Sequence, residues 1–156
     1  MKNTNLRATE ILVLALSLTL VVPAQEKRLK KSDLPPAVQK TADEQSQGAI
    51  VKGYASEKEN GRLQYEVELM ANGHSKDVTI SPDGSVLEIE EEVSFDALPA
   101  AVRQGLQREA GTGKIGKVES ITKRGSLVAY EAQVTTAGTR SEVQVGPDGR
   151  ALAHPE

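Results

Sequence analysis

Leu63, Tyr65, Val67 and Leu69 alternate with Gln64, Glu66 and Glu68, the period-two pattern of a strand with one dry and one wet face. Tyr130, Ala132 and Val134 repeat it against Glu131, Gln133 and Thr135. Asn72-Gly73 and Ala137-Gly138 are turn signals, and they lead into "DVTIS" and "EVQVG", where Val78, Ile80, Val143 and Val145 should point inward. The period changes at Leu98, Ala101, Val102, Leu106 and Ala110, which fall on one stripe of an amphipathic helix. Leu34, Ala37, Val38 and Ala42 make a weaker copy of that stripe. Pro35 and Pro99 suit a first helical turn, with Ser32, Asp33 or Asp96 as caps. "AIVKGYAS" (49–56) and "IGKVESITK" (115–123) are β-prone, although Gly53 and Gly116 interrupt them. A last strand is expected in "SVLEIEEEV" and in "RALAH".

These elements come twice in the same order. Leu34, Pro35, Ala37 and Val38 match Leu98, Pro99, Ala101 and Val102; further on, Tyr65-Glu66 matches Tyr130-Glu131. Pro82-Asp83-Gly84 matches Pro147-Asp148-Gly149. Such order predicts a duplication, with repeats at 33–93 and 94–156. The fold expected is α+β: two tandem helix-plus-antiparallel-sheet repeats, with the helices packed on one face of the sheet. A lone unit of about 60 residues is marginal, so the two should share a sheet or a core.

Ahead of the repeats, Lys2 and Arg7 precede the apolar run "ILVLALSLTLVV" (11–22), and Val22-Pro23-Ala24 supplies small residues before Gln25. Residues 1–24 therefore read as a cleavable signal peptide, the run being too short for a spanning helix. Periplasmic or secreted localisation follows, with membrane contact only through an uncleaved signal segment. "QEKRLKKSD" (25–33) then begins the mature chain, and its residues 25–32 read as a basic, solvated N-terminal tail. Residues 33–93 hold thirteen acidic against five basic side chains, and residues 94–156 seven against eight. With 3% aromatic residues and no Trp, such a chain lacks both the cationic surface and the stacking platform that nucleic acid needs.

Candidate chemistry is thin. No Cys is present, and the histidines, His74 and His154, have no counterparts in the other repeat, so nucleophile–base catalysis is not expected. "GTGKIGK" (111–117) lacks the spacing of a phosphate loop and reads as a helix stop followed by a strand. In "EIEEE" (88–92) alternation puts Glu88, Glu90 and Glu92 on one face, either to keep a sheet edge from pairing or to attract a divalent cation. Glu66 and Glu131 are the repeated glutamates, on the wet face, and are the residues a paired-carboxylate hydrolase would have to use. The two Pro-Asp-Gly stretches read as turns and not as calcium loops: "SPDGS" offers two hydroxyls and "GPDGR" neither, whereas a turn needs only what both keep. No catalytic, cofactor-binding or metal-ligating residue is assigned, and no cofactor is expected.

The leading "LPxAV" helix, the "YEVEL" strand with a Gly turn after it, and the "V.IS.DG.V" hairpin resemble PepSY-like domains, particularly the tandem family described as β-lactamase-inhibitor-like. The likeness covers residues 33–154, with "EQSQGAI" and "EAGTGKI" where the family often has an aromatic-Pro step. In that family two helix-plus-sheet repeats make one exported bacterial protein, and related domains in peptidase propeptides inhibit or chaperone the protease. The resemblance implies a non-enzymatic envelope module that binds or regulates another protein, inhibition of a hydrolase or protease being one such role. The alternative is a small-ligand or divalent-cation binder using the acidic first repeat.

Overall fold

The computed structural model describes residues 26–156; the signal-peptide expectation for 1–24 lies outside them. The described chain runs β1 (Lys27–Leu29), α1 (Pro36–Gln45), β2 (Ile50–Glu59), β3 (Arg62–Ala71), β4 (His74–Ile80), β5 (Val86–Glu92), α2 (Ala100–Ala110), β6 (Lys114–Lys123), β7 (Ser126–Thr136) and β8 (Thr139–Val145). All eight strands form one antiparallel sheet whose spatial order is the order of the sequence.

This corrects the expected α+β fold of two tandem helix-plus-sheet repeats. About 50% of the described residues are strand and 21% helix, and the two short helices are accessories to a single sheet. Two observations explain the difference. Strand β5, from the first half, is hydrogen-bonded to β6, from the second, so the halves build no sheets of their own. The expected last strand "RALAH" does not form either: it makes only the isolated bridge Val145↔Ala151, and the second half contributes three strands where the first contributes four after its helix.

The basic stretch expected to be a solvated tail is also structured in part. Lys27–Leu29 pairs with β2 as an edge strand, with Arg28 opposite Ala55. Its anchor is electrostatic and apolar together: Arg28 pairs with Glu68, and Leu29 packs on the core.

Two apolar clusters hold the helices to the sheet. Leu34, Val38 and Ala42 pack on Tyr65, Val67, Leu69, Val78 and Ile80; Leu98, Val102 and Leu106 pack on Val118, Ala132 and Val145. Cross-strand partners share a face of a sheet. The chain of partners Val67, Val78, Ile89 and Thr122, with Val118 at the same parity along β6, places both clusters on one face. Leu63, expected to point inward with its strand, is outside the cluster and 39% exposed.

The helix starts differ from expectation. Pro35 and Pro99 occupy the cap positions with no side-chain hydrogen bond, while the proposed caps Ser32, Asp33 and Asp96 sit in preceding 3-10 turns. Gly53 and Gly116, which blurred the pattern, mark β-bulges at Val51/Gly53 and Ile115/Val118, the usual role of a glycine within a strand.

The Pro-Asp-Gly stretches are turns seated on the helices. Asp83 Oδ1 accepts from the Ser85 N–H at 3.0 Å, and Asp148 Oδ1 from the Arg150 N–H at 3.0 Å, so each carboxylate closes its own turn. Thr41 Oγ1 donates to the Gly84 carbonyl at 2.7 Å, and Arg108 Nη2 to the Gly149 carbonyl at 2.9 Å. A Cβ on Gly84 would lie 2.9 Å from the Ala37 oxygen, and one on Gly149 only 2.1 Å from the Ala101 oxygen. Glycine is required there for close approach as well as for the turn.

Candidate functional site

With both helices on one face, the other face of the sheet is bare of helices, the last residues of the chain reaching only its Lys123 and Gln144, and the strand registers assign its side chains. One cross-strand row reads Arg28, Ala55, Glu66, Thr79, Glu88, Lys123. The next reads Gly53, Glu68, Asp77, Glu90, Ile121, Ala129. A third reads Glu92, Glu119, Glu131, Gln144. Carboxylates thus stand side by side on three neighbouring strands in each of two rows, an arrangement that costs stability because like charges directly opposite repel.

Burial first, and this repulsion second, show in protonation, although Glu92, which accepts from the Ser75 N–H, is lowered. Burial, then the charges of Glu88, Glu119 and Glu131, pushes Glu90 up to about 8. Burial, then Asp77 and Glu68, pushes Glu66 up to about 7. Asp77 and Glu131 are also raised, in both cases first by burial. Lys117 and Arg28 temper the field at the acidic centre, and Lys123 does so at Glu88. Lys117 Nζ lies 2.7 Å from Glu119 Oε1, and Glu119 is only 5% exposed. Burial works to lower the Lys117 pKa, but the Glu119 hydrogen bond and the charges of Glu119, Asp77 and Glu92 prevail and raise it. Arg28 bridges Glu68 and Glu26, closing the β1 side.

The residues singled out from the sequence now have places. Glu88, Glu90 and Glu92 do share a face, but β5 lies in the middle of the sheet between β4 and β6. The reading that they guard a sheet edge is overturned, since β5 has no free edge. Glu66 on β3 and Glu131 on β7 are separated by three intervening strands, or about 19 Å at the usual strand spacing. That is well beyond the roughly 5–9.5 Å of a hydrolytic carboxylate pair, so these two do not act together. His74 opens β4 with its Nδ1 3.7 Å from Glu92 Oε1, and His154 is exposed past β8. Gly111 ends α2 and Lys114 starts β6, so "GTGKIGK" is a helix stop and a strand start.

Asp77, Glu119 and Lys117 were not singled out from the sequence. Asp77, Glu90 and Glu119 offer carboxylate oxygens within 4.8 Å of one another, as do Glu26, Glu66 and Glu68. Among hard-cation ligands these are the right atoms. The first group already has the ammonium of Lys117 on Glu119, and the second the guanidinium of Arg28 on Glu68.

At one end of the bare face a cleft of about 920 Å³ opens where the β2–β3, β4–β5 and β6–β7 turns converge, lined by Glu59, Arg62, Leu63, Glu88, Lys123 and Arg124 among others. Here cations outnumber carboxylates.

No protein-family model matches the chain, and no curated protein does. Solved structures share its fold. A presumed periplasmic protein from Bacteroides eggerthii superposes with a TM-score of 0.63 at 20% identity, over 76% of this chain and 86% of that one. A DUF2874 family protein from Bacteroides ovatus gives 0.61 at 21% identity, over 77% and 86%. A BLIP-like protein from Bacteroides fragilis gives 0.58 at 19% identity, over 76% and 83%. The motif-level resemblance to PepSY-like domains is not confirmed by these comparisons; what they support is a fold shared with BLIP-like and DUF2874 family proteins.

Proposed function

We propose that the chain is an exported, non-enzymatic module that binds another protein of the bacterial envelope through the bare face of its sheet. One observation carries this reading: two rows of side-by-side carboxylates, with Asp77, Glu90 and Glu131 among them pushed up by burial, on the face of the sheet that neither helix covers. A partner presenting Lys or Arg relieves that repulsion, so the cost stored in the free protein returns as affinity and as specificity for a basic surface. The signal-like segment at 1–24 and the presumed periplasmic neighbour support an envelope location. The BLIP-like neighbour supports a binding role, and inhibition of a hydrolase or protease is the form of regulation the proposal favours. Separation of Glu66 from Glu131, and the lack of a base beside a nucleophile among the groups described above, support the non-enzymatic part.

The test is site-specific photocrosslinking in the native envelope. A photoreactive residue at Gln133, beside Glu131 on the bare face and outside the cleft at its turn end, should capture a discrete protein partner, and one at Gln107, on the outer side of α2, should not. Equal capture from both positions, or none from Gln133, would sink the proposal.

A second reading is a divalent cation in the Asp77, Glu90 and Glu119 group, favoured by oxygens within 4.8 Å. Lys117 at 2.7 Å from Glu119 weighs against it, because a cation would have to displace or sit beside an existing positive charge. Calorimetric titration with calcium separates the two: the cation reading requires heat and a raised melting temperature, both abolished by Glu90→Gln.

A further inference from the structure

The cleft at the turn end of the bare face has a charge pattern opposite to that of the acidic centre. Its carboxylates already have donors. Gln64 Nε2 donates to Glu59 at 3.2 Å, and Glu88 lies 3.6 Å from Lys123 Nζ. Its guanidinium groups do not: Arg62 and Arg124 make no ion pair among the described residues. Beside them Leu63 is 39% exposed, an apolar surface at the cleft wall. A ligand that completes this site brings carboxylates and a short apolar side chain.

The chain itself shows how a peptide meets Lys123, at one edge of the cleft. Past β8 it turns back, and the Glu156 N–H donates to Gln144 Oε1 at 2.8 Å. The Glu156 side-chain carboxylate then lies 3.7 Å from Lys123 Nζ. Backbone held by a side-chain amide and a carboxylate set against a lysine are the two contacts a bound peptide would make. Glu156 engages Lys123 alone, and Arg62 and Arg124 are left to a second carboxylate.

We propose that this cleft binds an extended, acidic peptide segment of a partner, with carboxylates two residues apart, and that the chain's own Glu156, paired with Lys123, is an internal competitor. Alternate residues of an extended chain point the same way, so that spacing lets one carboxylate meet Lys123 and the next meet Arg62 and Arg124. The cleft acts whether or not the acidic centre meets a partner, and titration here and crosslinking there report on them separately.

The experiment is fluorescence anisotropy of the full chain with a fluorescein-labelled, amidated peptide Ala-Glu-Leu-Glu-Ala, its Gln-Leu-Gln counterpart, and a form with a free terminal carboxylate. The Glu peptide should bind about 10-fold more tightly than the Gln peptide and weaken as salt is raised. Arg62→Gln with Arg124→Gln should weaken it by about 10-fold while leaving the melting temperature unchanged, since both side chains are exposed. Glu156→Gln should tighten it about 2- to 5-fold by removing the competitor. Tighter binding of the free-carboxylate form than of the amide assigns the second contact to a chain end, and equal binding assigns it to side chains; either supports the site. Equal affinity for the Gln peptide, no loss in the double-arginine variant, or no binding at about 1 mM overturns it.

Discussion

Asp77 on β4 and Glu90 on β5 stand directly opposite each other in the middle of the sheet, two carboxylates paired by the strand register. Among the described residues neither is matched to a cation of its own; the ammonium of Lys117 is hydrogen-bonded to Glu119. The protein keeps them by holding protons at pH values where free carboxyls have lost theirs.

Stability should therefore fall as pH rises. Glu90 is raised from 4.5 to about 8 and Glu66 from 4.5 to about 7. A carboxyl whose folded pKa is raised binds its proton more tightly folded than unfolded. Its contribution is complete below about 4.5 and is lost as pH rises through the folded value. Between pH 5 and 8.5 the melting temperature should drop by about 5 °C or more. Glu90→Gln should flatten that slope and raise stability at pH 8.5 by about 1–2 kcal/mol, discounted for partial solvent screening. Thermal melts across the range read this directly, and a slope unchanged by the substitution would show that Glu90 is not the group responsible.

Gly149 should tolerate no side chain. Its φ is +75°, and an added Cβ would sit 2.1 Å from the Ala101 oxygen of α2. Gly149→Ala therefore carries both backbone strain and a clash with a helix backbone, about 2–4 kcal/mol in urea unfolding. Gly138 has a similar φ of +84° with open space around it, so Gly138→Ala should cost only about 1 kcal/mol. Equal losses would mean that the turn is not seated on the helix.

Four hairpin turns share one backbone pattern, with positive φ at Asn60-Gly61, Asn72-Gly73, Arg124-Gly125 and Ala137-Gly138. This is the two-residue turn that matches strand twist, and it favours Asn in its first position. Ala137 is the least suited of the four. Ala137→Asn should stabilise the protein by about 0.5–1 kcal/mol, seen as a higher urea midpoint with no change in slope; a midpoint that stays put or falls would refute it.

Those turns also explain what could be read from the sequence. A two-residue turn at Asn72-Gly73 fixes the pairing of its strands, so Glu68 opposite Asp77 was open to arithmetic once the turn was identified. Ala137-Gly138 likewise sets Glu131 opposite Gln144. Helix stripes, inward-facing valines and both Pro-Asp-Gly turns were legible for the same reason: each depends on neighbours close in sequence. Glu90 opposite Ile121, and Glu92 opposite Glu119, were not. Strand β5 reaches β6 only across α2, and no turn specifies that register. Without it the acidic centre is scattered over the chain, and "EIEEE" looks like an exposed edge. The single sheet was missed for a related reason, since a repeated pattern does not say which strands pair or that "RALAH" would fail to add one.

Lys117 should be the residue on which the acidic centre most depends. Glu119 is 5% exposed and has Lys117 Nζ at 2.7 Å, with Glu92 and Glu131 opposite it on the two adjacent strands. Removing the ammonium leaves a buried carboxylate among others, which is far costlier than removing both partners. Lys117→Met should destabilise by about 2–4 kcal/mol at pH 8 and by less at pH 5, where the neighbouring Glu90, raised to about 8, holds its proton and repels Glu119 less. Adding Glu119→Gln to the same chain should restore most of the loss, because the remaining amide can hydrogen-bond without a counter-charge. A double-mutant cycle from chemical denaturation at the two pH values measures the coupling. If the double variant is no more stable than Lys117→Met alone, Lys117 supports the sheet by packing its aliphatic stem, and its pairing with Glu119 is incidental.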